Sequence, residues 1–138
     1  MQITLPIGVV AFETDFGGVV SNTRYVEYIE RGRYALLHAA GLKVTEIWET
    51  QGVMPVVRRL DIEYLGFARH EDDLQLRVEV GHHGGATTTL HYELSRVADG
   101  AVLMRAVQTL AYLNTNWKPT RVPAIFREAL VVQESSTH

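Results

Sequence analysis

Residue types with chemical uses crowd into one stretch, ETDFGGVVSNTR at positions 13–24. Asp15 stands just ahead of Gly17 and Gly18, and Ser21, Asn22 and Thr23 follow, each competent to cap the first N–H groups of a helix. The ordinary use of such a carboxylate is to close an Asx turn or cap the helix, since Asp before Gly-Gly is common in loops. Its reactive use is to activate water or attack a carbonyl, while an unpaired N–H at the helix amino terminus stabilises the resulting oxyanion. Glu13, two residues earlier, reads as a solvated charge at a strand end. Glu27 and Glu30 read as surface partners of Arg24, Arg31 or Arg33 at helical spacing.

Elsewhere the candidates are thinner. His82 and His83 sit in an HHGG segment that reads as a turn, and no further ligands stand at metal-binding spacing, so neither a metal nor a cofactor is expected. The chain has no cysteine, which removes disulfide and thiolate chemistry and favours the cytoplasm. With 13 basic and 16 acidic side chains the formal charge is -3, so no overall positive field draws the protein onto nucleic acid or anionic lipid. The opening MQITLPIGVVAFETDF lacks a basic leader and a cleavage site, and no apolar run approaches membrane-spanning length, so a soluble chain without a membrane partner is expected.

The elements that must position these residues follow from periodicity. Ile3 to Phe12 is β-prone, and Pro6, having no N–H, must take an edge or irregular place. Tyr25, Tyr28, Ile29, Gly32, Leu36 and Ala39 or Ala40 then recur at helical spacing, predicting a helix of about 17 residues stopped by Gly41. Gly32 on its apolar face implies close backbone approach to a sheet. A second helix is expected from Val44 to Thr50 and a terminal one from Pro123 to Leu130. Between them four strands are expected. The first buries Val56, Leu60, Ile62 and Tyr64, with Arg58 the odd member of that face and Arg59 lying outward with Asp61 and Glu63. The second buries Leu76, Val78 and Val80; the third, Leu90, Tyr92 and Leu94; and Asp99-Gly100 turns into a central strand, Ala101 to Leu113. This makes an α+β domain over residues 1–132, with a polar tail at 133–138. One helix covers only part of one sheet face, which points to a homodimer or dimer-based homotetramer.

The stretch ETDFGGVVSNTRYVEYIERGR resembles the signature of 4-hydroxybenzoyl-CoA thioesterase-like hotdog proteins, and MPVVRRLDIEYLGFARHEDDL resembles their second strand and following turn. The resemblance implies a hotdog fold, a long helix packed on a five-stranded antiparallel sheet, and hydrolysis of an acyl-CoA to a free acid and CoA. It implies that Asp15 is the catalytic carboxylate and that the Asn22 N–H polarises the thioester carbonyl. It also implies that Gly17, Gly18, Val19 and Tyr25 border the substrate, with Arg58 and His83 candidates for the CoA portion; Lys118 and Arg121 are further cations for its phosphates. Ser21-Asn22 departs from the aromatic-histidine pair found in many close relatives, so no histidine role carries over. Two alternatives stay open: a thioesterase acting on acyl carrier protein, and a non-catalytic acyl-binding protein.

Overall fold

The computed structural model describes residues 1–10, 13–15 and 17–132. Its elements run β1 (Gln2–Gly8), α1 (Asn22–Ala39), α2 (Val44–Gln51), β2 (Val53–Tyr64), β3 (Asp73–His83), β4 (Thr87–Arg96), β5 (Val102–Asn114), β6 (Pro119–Thr120) and α3 (Ala124–Ala129). The strands form an antiparallel sheet in the order β1-β3-β4-β5-β2, with the two-residue β6 added beside β5. The expected sequence of strand, helix and four strands is therefore present, with one short strand more. Pro6 lies on edge strand β1, where a missing N–H leaves no central ladder broken. The expected tail at 133–138 lies outside the described residues, as do Ala11, Phe12 and Phe16.

Helix α1 lies against the inner face of the sheet. Its buried residues Tyr25, Tyr28, Ile29, Gly32, Leu36 and Leu37 follow the predicted stripe. The helix stops where Gly41 takes a left-handed φ of 75°. There the Leu42 N–H reaches Leu37 O at 2.9 Å and the Gly41 N–H reaches His38 O at 3.0 Å, so both bonds of a Schellman closure are made. Gly32 has the reason its position implied: a Cβ there would stand 2.8 Å from both Leu76 Cδ2 and Val78 Cγ2. The helix backbone thus rests directly on the side chains of β3, with no room for one of its own at this position. At 18 residues, roughly 27 Å by its rise, α1 is short beside the 13-residue β5 that crosses the whole sheet. The outward face is polar, with Arg77, Glu93 and Arg105 side by side in one cross-strand row.

The face of β2 differs from the alternation read in the sequence. A bulge between Val57 and Arg59 shifts the register, so Val57 pairs with the inward Leu110 whereas Leu60 pairs with the inward Gln108. Val57, and not Val56, therefore shares the core-facing side with Leu60, Ile62 and Tyr64. Arg58 is the extra residue of the bulge, exposed on a free sheet edge.

At the far end of β3, the His83 ring clamps the terminal helix. Its Nε2 lies 2.6 Å from Leu130 O, which can only accept, so Nε2 carries a proton. In the neutral ring Nδ1 then accepts from the Thr88 hydroxyl at 2.8 Å, and Thr88 Oγ1 in turn takes the Tyr112 hydroxyl at 2.8 Å.

Candidate active site

The loop between β1 and α1 is a tight reversal built on glycine. Thr14 bridges Val20, the Asp15 N–H donates to Val19 O at 2.9 Å, and the Gly18 N–H donates to Asp15 O at 3.0 Å. Gly17 and Gly18 hold φ of 92° and 75°, and nothing stands within 4 Å of a Cβ built on either. Conformation, not crowding, is what requires glycine at both. The reversal is tied to the β2–β3 connection: the Val20 N–H donates to Ala68 O at 2.8 Å, the His70 N–H to Gly18 O at 3.1 Å, and Val19 bridges Arg69.

This packing holds Asp15 at the foot of α1. Its carboxylate is exposed and accepts a hydrogen bond from the Ser21 hydroxyl, Oγ to Oδ2 at 3.3 Å. Ser21 is the N-cap residue by conformation (φ -64°, ψ 142°), yet its side chain makes no capping hydrogen bond. The serine hydroxyl is turned to Asp15 instead, which leaves the positive end of α1 open beside a carboxylate. Asn22, the first helical residue, is exposed, and its carbonyl accepts the Tyr64 hydroxyl at 3.3 Å.

An aromatic wall stands next to this polar corner. The rings of Tyr25 and Tyr64 meet edge-on with centroids 5.4 Å apart, and those of Tyr25 and Tyr28 at 6.1 Å. The Tyr25 hydroxyl accepts the Ala68 N–H at 3.0 Å, so this buried residue braces the β2–β3 connection from behind the corner. Burial pushes the Tyr25 and Tyr28 hydroxyls above the usual tyrosine range, so both stay neutral. Tyr64, Leu65 and Phe67 continue the wall as exposed apolar surface.

Of the predicted site residues, Asp15, Gly17, Gly18, Val19, Asn22 and Tyr25 come together here. Arg58 does not, being six positions before Tyr64 on β2, roughly 20 Å along an extended strand. His83 is at the opposite end of β3 from the loop, occupied with Thr88 and Leu130. Glu27 accepts both contacts from Arg24 and Glu30 pairs with Arg33, as surface partners should. Glu13 corrects the sequence reading: it is only 8% exposed, and its Oε1 accepts the Val10 N–H at 3.0 Å. It pins the chain entering the loop, and its own carbonyl takes the Ser21 N–H at 3.1 Å. Sequence reasoning also missed the Ser21 hydroxyl as a partner of Asp15, and the contact of Tyr64 with Asn22, 42 positions away.

The family model described as the thioesterase-like superfamily matches residues 9–130. The chain belongs to the thioesterase-like superfamily. Among related proteins, the acyl-CoA thioesterase YbgC of Haemophilus influenzae is 33% identical over 93 residues, covering 67% of this chain and 68% of that protein. A chloroplastic acyl-acyl carrier protein thioesterase of Arabidopsis thaliana is 22% identical over 120 residues, 87% of this chain and 63% of that protein. A mutant 4-hydroxybenzoyl CoA thioesterase complexed with 4-hydroxybenzoyl CoA superposes with a TM-score of 0.87 at 15% identity, covering 94% of this chain and 99% of that one. A probable thioesterase from Bartonella henselae superposes at 0.79 with 27% identity, over 89% of this chain and all of that one, 100%. The fold of this superfamily member is thus the hotdog, and its family chemistry is thioester hydrolysis. No helix among the described residues is long and apolar enough to cross a membrane.

Proposed function

We propose that the protein hydrolyses acyl-CoA thioesters to a free acid and CoA, with Asp15 as nucleophile or general base and the Asn22 N–H as the group that polarises the carbonyl. The observation carrying this reading is the amino terminus of α1 whose N-cap Ser21 turns its hydroxyl away from the helix to hold the Asp15 carboxylate beside it. In the nucleophilic route an Asp15 oxygen bonds to the acyl carbon, the C–S bond breaks and CoA leaves as the thiolate; water then opens the anhydride and restores the carboxylate. In the general-base route Asp15 takes a proton from water, whose oxygen bonds to the acyl carbon as the thiolate departs. Both routes put negative charge on the former carbonyl oxygen, where a helix amide is useful. Gly17, Gly18, Val19 and Tyr25 shape the surrounding wall.

The working unit is a homodimer joined through β2. That strand is a free edge of 12 residues, and Val57, Tyr64, Leu65 and Phe67 are exposed on or beside it. Pairing a second copy there would satisfy its open ladder and cover apolar surface. Light scattering that finds only monomer at micromolar concentration would remove this part.

A second reading, hydrolysis of acyl groups carried on acyl carrier protein, is favoured by the Arabidopsis relative. Thiol release from a panel of acyl-CoAs, set against the same acyl groups on carrier protein, decides between the two. Turnover of the CoA esters supports the first reading, turnover of the carrier conjugates alone supports the second, and no turnover of either leaves an acyl-binding protein.

A further inference from the structure

A second aromatic feature lies far from Asp15. The turn from β5 into β6 closes with the Trp117 N–H on Asn114 O at 3.0 Å and the Asn114 N–H on Lys118 O at 2.9 Å, a three-residue hairpin loop. The last loop position of such a turn is left-handed and normally taken by glycine or asparagine. Here it is Trp117, at φ 59°, a conformation that a bulky L side chain adopts only at a cost. The strain does not serve the core, because Trp117 is 65% exposed. Its ring leans on Trp48 of α2, centroids 5.8 Å apart. Lys118 follows it directly in the chain and Arg121 comes just after β6, both exposed and neither in an ion pair with a described residue. A strained, presented indole with two available cations fits a purine ring bearing phosphates.

Position adds the second argument. Asn114 pairs with Val53, the first residue of β2, so the tryptophans sit at the start of that strand and Tyr64, which touches Asn22, at its end. Within one protomer these ends are roughly 35 Å apart. Two copies pairing their β2 edges antiparallel with full overlap would set Val53 of one opposite Tyr64 of the other. We infer that Trp117, backed by Trp48 and flanked by Lys118 and Arg121, holds the adenine nucleotide end of CoA for the Asp15 site of the partner subunit. The inference rests on the acyl-CoA reading and the β2 dimer above.

The test begins with binding, which needs no turnover. In calorimetric titrations of the full-length protein, Trp117→Ala should weaken free CoA by about tenfold and leave pantetheine, which lacks the nucleotide, unchanged. Trp117→Gly should weaken CoA equally while raising Tm, because glycine relieves the left-handed strain; a tryptophan kept for packing would lose stability there. Mixed dimers of differently tagged Asp15→Asn and Trp117→Ala copies then locate the site. Shared between subunits, the one working site has both residues intact and a normal KM for acyl-CoA; confined to one subunit, it has the raised KM of Trp117→Ala. Equal losses for CoA and pantetheine, no loss for either, or a raised KM in the mixed dimer overturns the inference. If CoA binds through Trp117 but no thioester is hydrolysed, the hydrolase reading fails and this one stands. If acyl-CoA is hydrolysed and Trp117 variants bind CoA normally, the reverse holds.

Discussion

The two halves of the inner sheet face have different neighbours. Over β1, β3 and β4 the helix rests so closely that Gly32 has no room for a methyl group, and Leu76, Val78, Leu90, Tyr92 and Leu94 are sealed. Past β5, whose inward Met104, Gln108, Leu110 and Tyr112 are still sealed, the cover ends at β2, where Leu60 and Ile62 are only half-buried and Val57 and Tyr64 are exposed. The covered half makes the stable frame. The open half holds the exposed aromatic surface, the free edge and, at its corner, Asp15. Side chains buried in the first half should therefore govern stability with little effect on turnover, and those at the open corner the reverse.

The largest expected effect belongs to the open corner. Asp15→Asn keeps the size and the Ser21 contact while removing both nucleophile and base. A lost transition-state interaction of roughly 3 to 4 kcal/mol corresponds to turnover lower by roughly a few hundredfold. Tm should not move, because the side chain is exposed. Near-normal turnover by Asp15→Asn, together with its loss in Glu27→Gln or Glu30→Gln, would shift the chemistry to the helix.

Gly32→Ala is the converse. A methyl group 2.8 Å from Leu76 and Val78 forces α1 off the sheet, an overpacking cost of about 1 to 3 kcal/mol that improved helix propensity offsets by at most about 1 kcal/mol. Thermal denaturation should show the loss, while kcat per folded molecule stays within about twofold. If kcat collapses while Tm holds, the two halves are not separable in this way.

Gly32 also shows what can be read from sequence and what cannot. Its place on an otherwise apolar helical stripe foretells the close approach, and the same periodicity locates α1, its Gly41 stop and the Asp99-Gly100 turn, because local pattern and local geometry coincide there. The inward face of β2 is misread at Val56, since a one-residue bulge is defined by the partner strand and leaves no mark in the alternation. Glu13 is misread for a related reason: it is buried by the chain folding back on Val10 and Ser21 and by Tyr28 of the helix, contacts that the local pattern does not announce. The strain at Trp117 depends likewise on how the β5–β6 hairpin closes.

A smaller effect separates the halves by pH. The Tyr28 hydroxyl is fully buried, and burial first, then the charge and hydrogen bonding of the neighbouring Glu13 carboxylate, raises its ionisation above the usual tyrosine range. The neutral form is therefore favoured in the fold. Its stabilising contribution is complete below the unfolded tyrosine value of about 10 and is lost as pH rises through the folded value. Above pH of about 10 the unfolded chain releases this proton first, so stability should fall, with Tyr28 contributing up to about 1.4 kcal/mol per pH unit. In chemical denaturation between pH 9 and about 11, Tyr28→Phe should flatten that fall by one tyrosine's share and cost no more than about 1 kcal/mol at neutral pH, the worth of the lost contact with Glu13. An unchanged alkaline slope would mean that Tyr28 is solvated in the native state.

The smallest effect is the most local. Ser21 could have capped α1, but its hydroxyl is given to Asp15 across an exposed 3.3 Å contact. A long, solvated hydrogen bond of this kind contributes no more than about 1 kcal/mol, so Ser21→Ala should lower kcat/KM by roughly threefold to fivefold through looser positioning of the carboxylate. Stability should hardly change, because the substitution removes no helix cap. Asn22→Ala should do less to turnover, because the N–H proposed to face the oxyanion belongs to the backbone. The ordering Asp15→Asn, Ser21→Ala, Asn22→Ala is the quantity to measure, with Tm recorded for each variant. A loss at Ser21 equal to that at Asp15 would make the hydroxyl a reacting group, whereas a fall in Tm with turnover intact would show that in solution it caps the helix and leaves Asp15 to position itself.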